Sequence, residues 1–153
     1  MKLFLVRHGE AEGLEKPDEE RVLTSQGMES VARIAAHITE RFKKPGHLYV
    51  SPLIRAQQTA EHFASRWDIP PETVEWLRPA TSASAVLEQL NASDCDNVLI
   101  GHLPNLGLIL GSLVLGMPAK EVVLPKGGVA LLEVKEWDVG KAKLRWLLTS
   151  DTI

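Results

Sequence analysis

Three residues, Arg7-His8-Gly9, follow directly on the apolar run Leu3-Phe4-Leu5-Val6, so a nucleophile stands beside a fixed cation where a short buried strand ends. Open α/β sheets bind ligands at the carboxyl ends of their strands. Imidazole attacks phosphorus without first losing a proton to a base, whereas a serine hydroxyl needs an activating partner, and a phosphoryl group is the target this pair suits. The glycine lets the backbone approach a ligand and offers N–H groups to bound oxygens, which makes Gly9 a substrate-binding candidate. Two further strand-to-helix junctions carry groups of the same kind: Ser51-Pro52 followed by Arg55, and Gly101-His102. In a parallel sheet such junctions share one edge, and Arg55, in the first turn of its helix, stays beside the positive end of the helix dipole. Arg7, His8, Arg55 and His102 can therefore converge on one anion.

The elements that must position them alternate along the chain. Residues 2–6 form a buried strand by length and apolarity, and the acidic stretch from Glu15 to Glu20, broken by Pro17, is a loop. Thr24 caps a helix whose inner face carries Met28, Val31, Ala35, Ile38 and Phe42, stopped by Lys43-Lys44-Pro45-Gly46. His47 to Val50 is a second strand. Ser51 as N-cap and Pro52 at the first helical position open the next helix, with Leu53, Ala56, Ala60 and Phe63 inward. The pattern predicts a strand over Val74–Leu77, a short helix over Ala83–Leu90, and a buried strand at Val98-Leu99-Ile100. A helix follows Pro104 and Asn105, and Val129–Val134 and Leu144–Leu148 pair antiparallel around Asp138-Val139-Gly140. This alternation predicts an α/β fold, a three-layer α/β/α sandwich with a mostly parallel central sheet.

Composition narrows the function classes. With 153 residues, 44% of them hydrophobic, and no Gly/Ser/Pro-rich linker, the chain is expected to form a single domain over residues 1–153. A net charge of −3 lacks the broad basic footprint of a nucleic-acid binder, so any anion site is local. The opening apolar run, interrupted by Arg7, is too short for a signal-peptide core, and no later segment approaches the roughly 20 apolar residues of a membrane span. No membrane partner and a cytoplasmic location are the expectations. Cys95 is the only cysteine, which excludes an internal disulfide and a multi-cysteine zinc site. Flanking Asp94 and Asp96 would raise its thiol pKa and oppose a catalytic thiolate.

Arg7-His8-Gly9-Glu10-Ala11, Arg21-Val22-Leu23-Thr24 with Gly27, Ser51-Pro52-Leu53-Ile54-Arg55-Ala56-Gln57-Gln58-Thr59-Ala60, and Gly101-His102-Leu103-Pro104 stand in one order along the chain. In that order and spacing the chain resembles the histidine phosphatase superfamily, also called phosphoglycerate mutase-like, nearly end to end. Its small size and motif set look most like the SixA-type phosphohistidine phosphatases. The resemblance implies that His8 is a transiently phosphorylated nucleophile and that Arg7, Arg55 and His102 hold the nonbridging oxygens. Guanidinium forks and a protonated His102 would neutralise the phosphoryl charge with no metal and no cofactor. Arg21 matches an arginine of the SixA-like pattern, as a pocket member or as a structural ion pair with Glu19 and Glu20.

Many members of the superfamily place a carboxylic acid near the third strand to protonate an alkoxide leaving group. Here that stretch reads Leu77-Arg78-Pro79-Ala80-Thr81-Ser82, and Glu75 falls within the predicted strand. An imidazole leaving group, with a pKa of about 6.5, departs without such an acid. This favours protein phosphohistidine as substrate, with a phosphohistidine-containing protein as partner, a phosphotransfer domain being one candidate, and a monomeric enzyme. Two other functions compete: a phosphomonoesterase for a small metabolite, and a noncatalytic phosphate-binding module. The attacking imidazole argues against the last. Metal ligation by His8 and His102 is opposed by the neighbouring arginines, and Ser51 and Thr24 fit helix caps better than nucleophiles. His37, His47 and His62 stand outside the motifs.

Overall fold

Alternation along the first strand, β1 (Lys2–Arg7), decides the layering. Phe4 and Val6 point to one face and Leu3 and Leu5 to the other, and none is more than 1% exposed. A strand buried on both faces needs helices on both. The computed structural model, which describes all of residues 1–153, supplies them. Helices α1 (Ser25–Arg41) and α2 (Ile54–Trp67) pack Val31, Ile34, Ile38 and Phe63 against Phe4, Val6 and Val98. Helices α3 (Ala83–Leu90) and α4 (Asn105–Leu115) pack Val86, Leu90, Leu106 and Ile109 against Leu3, Leu5 and Leu99. Each such side chain contributes about 1.5–3 kcal/mol of apolar burial.

The remaining strands are β2 (His47–Val50), β3 (Glu72–Thr73), β4 (Asn97–Gly101), β5 (Val129–Val134) and β6 (Ala142–Leu148). They form one six-stranded sheet in the order β3-β2-β4-β1-β5-β6. The pairings from β3 to β1 are parallel, and β1-β5 and β5-β6 are antiparallel. The architecture is the expected three-layer, mostly parallel sandwich. No helix is long and apolar enough to cross a membrane.

Local chemistry sets the helix starts. Thr24 Oγ1 accepts the Gly27 N–H at 2.9 Å, and Ser82 Oγ accepts the Ala85 N–H at 3.2 Å. Two expectations are corrected. Met28, predicted inward, is 37% exposed, because the buried face of α1 runs through Gly27, Val31 and Ile34. A Cβ at Gly27 would collide with the Glu10 backbone, so the glycine seats the helix there, and Met28 lies roughly 100° further round. The strand predicted over Val74–Leu77 is instead a 3-10 turn at Glu75–Leu77 after the two-residue β3. The ladder ends when Val74 N–H donates to Val50 O, for β2 has no residue beyond Val50 to pair, and the turn buries Leu77.

Candidate active site

Register brings the three junctions together. Val6 pairs with Ile100, and Ile100 with Val50, across the adjacent strands β1, β4 and β2. The residues that follow, Arg7, Gly101 and Ser51, therefore share one row at the carboxyl edge of the sheet. One more step of backbone pairing follows: His8 N–H donates to Gly101 O at 3.0 Å, and Ser51 N–H to Ile100 O at 3.1 Å. His8 and His102 consequently meet, with ring centroids 5.2 Å apart, at 7% and 2% exposure.

His8 Nδ1 lies 2.8 Å from the carbonyl oxygen of Gly9. A carbonyl only accepts, so Nδ1 carries the hydrogen and Nε2 keeps its lone pair. Arg55 Nε stands 3.4 Å from that Nε2. Burial, against the Gly9 hydrogen bond and with the charges of Arg55, Arg7 and Arg21 added, pushes the His8 pKa down to about 4. The ring is neutral at pH 7, the form a nucleophile requires.

His102 is held by its other nitrogen. Its Nε2 is 2.7 Å from Ser51 Oγ, while its Nδ1 is buried without a hydrogen-bond partner. Burial first, then His8 and Arg55, press its pKa down to about 3. His102 is thus neutral in this setting, since a further cation in the same dry space is disfavoured. Ser51, expected to cap α2, serves His102 and accepts the Leu53 N–H at 3.3 Å. The helix starts later, at Ile54, with Leu53 in the cap position.

Arg55, 4% exposed, sits in the first turn of α2. Its Nη1 donates to the Asp18 carbonyl oxygen at 2.8 Å, and its Nη2 is 3.2 Å from Asp18 Oδ1 and 3.4 Å from Oδ2. Arg7 Nη1 donates to Leu124 O at 2.8 Å, and Arg7 Nε is a second buried atom without a partner. Gly9 is placed in the same cluster but with a different duty from the one expected. Its N–H donates to Thr59 Oγ1 at 3.1 Å, and a Cβ there would lie 2.6 Å from Val31 Cγ2. The glycine lets the loop pack on α1, and its N–H is committed. Arg21 donates through Nε to Glu12 O at 2.7 Å and through Nη1 to Asp18 Oδ1 at 3.2 Å. Its ion-pair partner is Asp18, in place of Glu19 or Glu20.

Three functional contacts escaped sequence reasoning: Ser51 on His102, Thr59 bridging Gly9 and the Arg55 carbonyl, and Asp18 on Arg55. For Thr59 the signals were its place in the Ser51–Ala60 motif and, four residues after Arg55, one helical turn on. Glu75 lies on an exposed turn with its carboxylate bound to Arg78, which also reaches Glu19 at 2.8 Å. His47 pairs with Glu72 at 2.7 Å and stacks on Tyr49, and His37 and His62 lie on α1 and α2 away from the cluster. No three His, Cys, Asp or Glu side chains gather as a metal-ligand set. A cavity of about 450 Å³ exists elsewhere, lined by Lys2, Lys135, Lys141 and Lys143 at the opposite edge of the sheet. The one shifted group there is Glu133, held below its ordinary value by its surface pair with Arg145, whereas both buried histidines stand at the carboxyl edge.

Comparison with known proteins agrees with this geometry. The profile of the histidine phosphatase superfamily (branch 1) matches residues 3–81. The chain belongs to that superfamily. It is 30% identical over 122 residues to the phosphohistidine phosphatase SixA of Escherichia coli (strain K12), covering 76% of each chain. Among solved structures it is similar in fold to the protein histidine phosphatase SixA complexed with tungstate, with a TM-score of 0.85 at 24% identity, covering 99% of this chain and 98% of the other. The alpha-ribazole phosphatase from Shigella flexneri shares the fold too, with a TM-score of 0.76 at 18% identity and coverages of 98% and 97%. The chain is a SixA-like member of a superfamily of phosphatases.

Proposed function

We propose that the protein is a metal-independent phosphatase that removes phosphate from phosphohistidine on a protein partner, with His8 as the nucleophile. The observation that carries this reading is the His8 ring, neutral, tied through Nδ1–H to the Gly9 carbonyl, and keeping its Nε2 lone pair beside Arg55. Nε2 forms a bond to phosphorus as the P–N bond to the substrate imidazole breaks. The substrate ring, protonated from solvent on its far nitrogen with a pKa of about 6.5, keeps that electron pair and departs as neutral imidazole. Water then attacks the phosphoryl-His8, the His8 Nε2–P bond breaks, and inorganic phosphate leaves.

Phosphoryl transfer needs positioning and neutralisation of the equatorial oxygens more than covalent assistance. Arg7 and Arg55 supply planar forks. His102 supplies an N–H in the tautomer in which Ser51 Oγ, accepting from Leu53, gives its own hydrogen to His102 Nε2 and the ring proton sits on the unpartnered Nδ1. An incoming dianion reverses the Coulombic sign at His102 and raises its pKa, strengthening this donor.

The nearby carboxyls support an imidazole leaving group. Burial would raise the Asp18 pKa, but Arg55 and Arg21 outweigh it and hold the group below its ordinary value, so it carries no proton at neutral pH. Glu75 is engaged by Arg78. Asp18 therefore has no proton to give an alkoxide and Glu75 is engaged elsewhere, whereas an imidazole that solvent protonates on its far nitrogen departs without an acid from the enzyme. The name of the SixA relative points to the same substrate class and to a phosphohistidine-containing protein, such as a phosphotransfer domain, as partner. The test is a side-by-side turnover series. A phosphohistidine protein should be fastest, an aryl phosphate intermediate and alkyl phosphates slowest. A sugar phosphate outrunning the phosphoprotein would overturn the substrate assignment.

A further inference from the structure

All three nitrogens of the Arg55 guanidinium are engaged within the protein: Nε toward His8, and Nη1 and Nη2 on Asp18. The Nη pair is the part of a guanidinium that grips an oxyanion bidentately, and here Asp18 occupies it, with its carbonyl oxygen on Nη1 and its carboxylate on Nη2. Arg21 reaches the same carboxylate at 3.2 Å. Asp18 therefore bridges the two cations much as a bound phosphoryl oxygen would.

The segment that carries Asp18 is built to leave. The Ala11–Leu23 bridge and the Glu12 N–H to Val22 O bond pinch off the intervening loop, and residues 13–20 within it are all exposed. The 3-10 turn Asp18–Glu20 buries no side chain. Apart from Asp18, its side-chain ties are two surface ion pairs, Lys16–Glu12 and Arg78–Glu19, each worth about 0–1 kcal/mol. A loop with so little buried apolar surface opens at low free-energy cost, whereas Arg55, 4% exposed and anchored in α2, stays.

Resting on the assignment of Arg55 to the phosphoryl site, we propose that Asp18 is a built-in competitor for that site, displaced from Arg55 by the incoming phosphoryl group and returning to it as inorganic phosphate departs. The carboxylate keeps the buried guanidinium paired between turnovers and lowers its affinity for product. A ligand that must wait for the open state binds more weakly by the fraction of time that state is populated.

Calorimetric titration of the whole protein with tungstate and with inorganic phosphate tests this without requiring turnover. Asp18→Asn should tighten both by about five- to tenfold, corresponding to a contact held about 80–90% of the time, and Asp18→Ala should act in the same direction. In the wild type, amide exchange across residues 14–21 should accelerate when tungstate binds. Equal or weaker anion binding in both variants would overturn the proposal and make Asp18 a brace for Arg55, and unchanged or slowed exchange would also overturn it. The outcome is separable from the catalytic reading. A phosphoryl-His8 enzyme with Asp18-independent tungstate affinity sinks only the competitor, and Asp18-sensitive tungstate affinity without phosphoryl-His8 sinks only the nucleophile.

Discussion

His8 and His102 occupy equivalent places at the ends of neighbouring parallel strands, yet they are held by opposite nitrogens. At the β1 junction a backbone carbonyl fixes Nδ1 and leaves the Nε2 lone pair with only a long contact from Arg55 Nε. At the β4 junction a side-chain hydroxyl fixes Nε2 and leaves Nδ1 unpartnered. Both rings are buried and neutral. Register makes the two positions alike, and the partner on the far nitrogen makes them different: one keeps Nε2 available, the other Nδ1. The partners also differ in kind. The carbonyl at Gly9 cannot be removed by substitution, whereas the hydroxyl of Ser51 can.

Replacing each ring breaks the comparison most severely. His8→Ala should lower kcat by about 10⁴-fold or more, as expected when a nucleophile is lost, and His102→Ala by about 10²- to 10³-fold, the scale of one preorganised donor. Circular dichroism should report folded protein in both cases. Equal losses in steady-state kinetics would mean that the two rings do not divide the work as described.

A subtler change sharpens it. Ser51→Ala should cost about tenfold in kcat with KM nearly unchanged, because His102 loses the partner that selects its tautomer but not its position. Ser51→Thr should restore part of the rate. The ¹⁵N shifts of His102 should move from one Nδ1–H tautomer to a mixture in the alanine variant, and an unmoved signal would return Ser51 to a purely structural role.

The smallest effect is on stability. Both histidines have folded pKa values below the unfolded value of about 6.5, so the unfolded chain takes up protons first as pH falls. Stability is then full above about 6.5 and declines toward 4 for His8 and toward 3 for His102. Urea unfolding at pH 7 and pH 4.5 should show a smaller acid loss in either alanine variant than in the wild type. An acid loss unaffected by either substitution would mean that the rings are not buried as neutral groups.

How far this contrast could be foreseen depends on the range of the interaction that creates it. Arg7, His8, Arg55 and His102 were legible because each stands next to an apolar run or a helix start, and a parallel sheet gathers such positions on one edge. Ser51 was legible only as a hydroxyl before a helix. What hands it to His102 is the Val50–Ile100 register between β2 and β4, a pairing of residues about fifty positions apart. Asp18 was one of several carboxylates in an acidic loop, and only the local 3-10 turn aims it, and not Glu19, at Arg55. The predicted strand over Val74–Leu77 failed for a related reason, since its apolar pattern was sound but its neighbour β2 ended at Val50.

The contrast between the two histidines rests on His8 Nε2 being the atom that attacks phosphorus. Rapid-quench mass spectrometry of the wild-type protein during turnover, with ³¹P NMR of the quenched adduct, measures this directly. An acid-labile phosphoryl group on His8 Nε2, forming and decaying at rates consistent with kcat and absent from His8→Ala, is the predicted result. Turnover at the normal rate with no phosphoryl group on His8, or with one on His102, would contradict it.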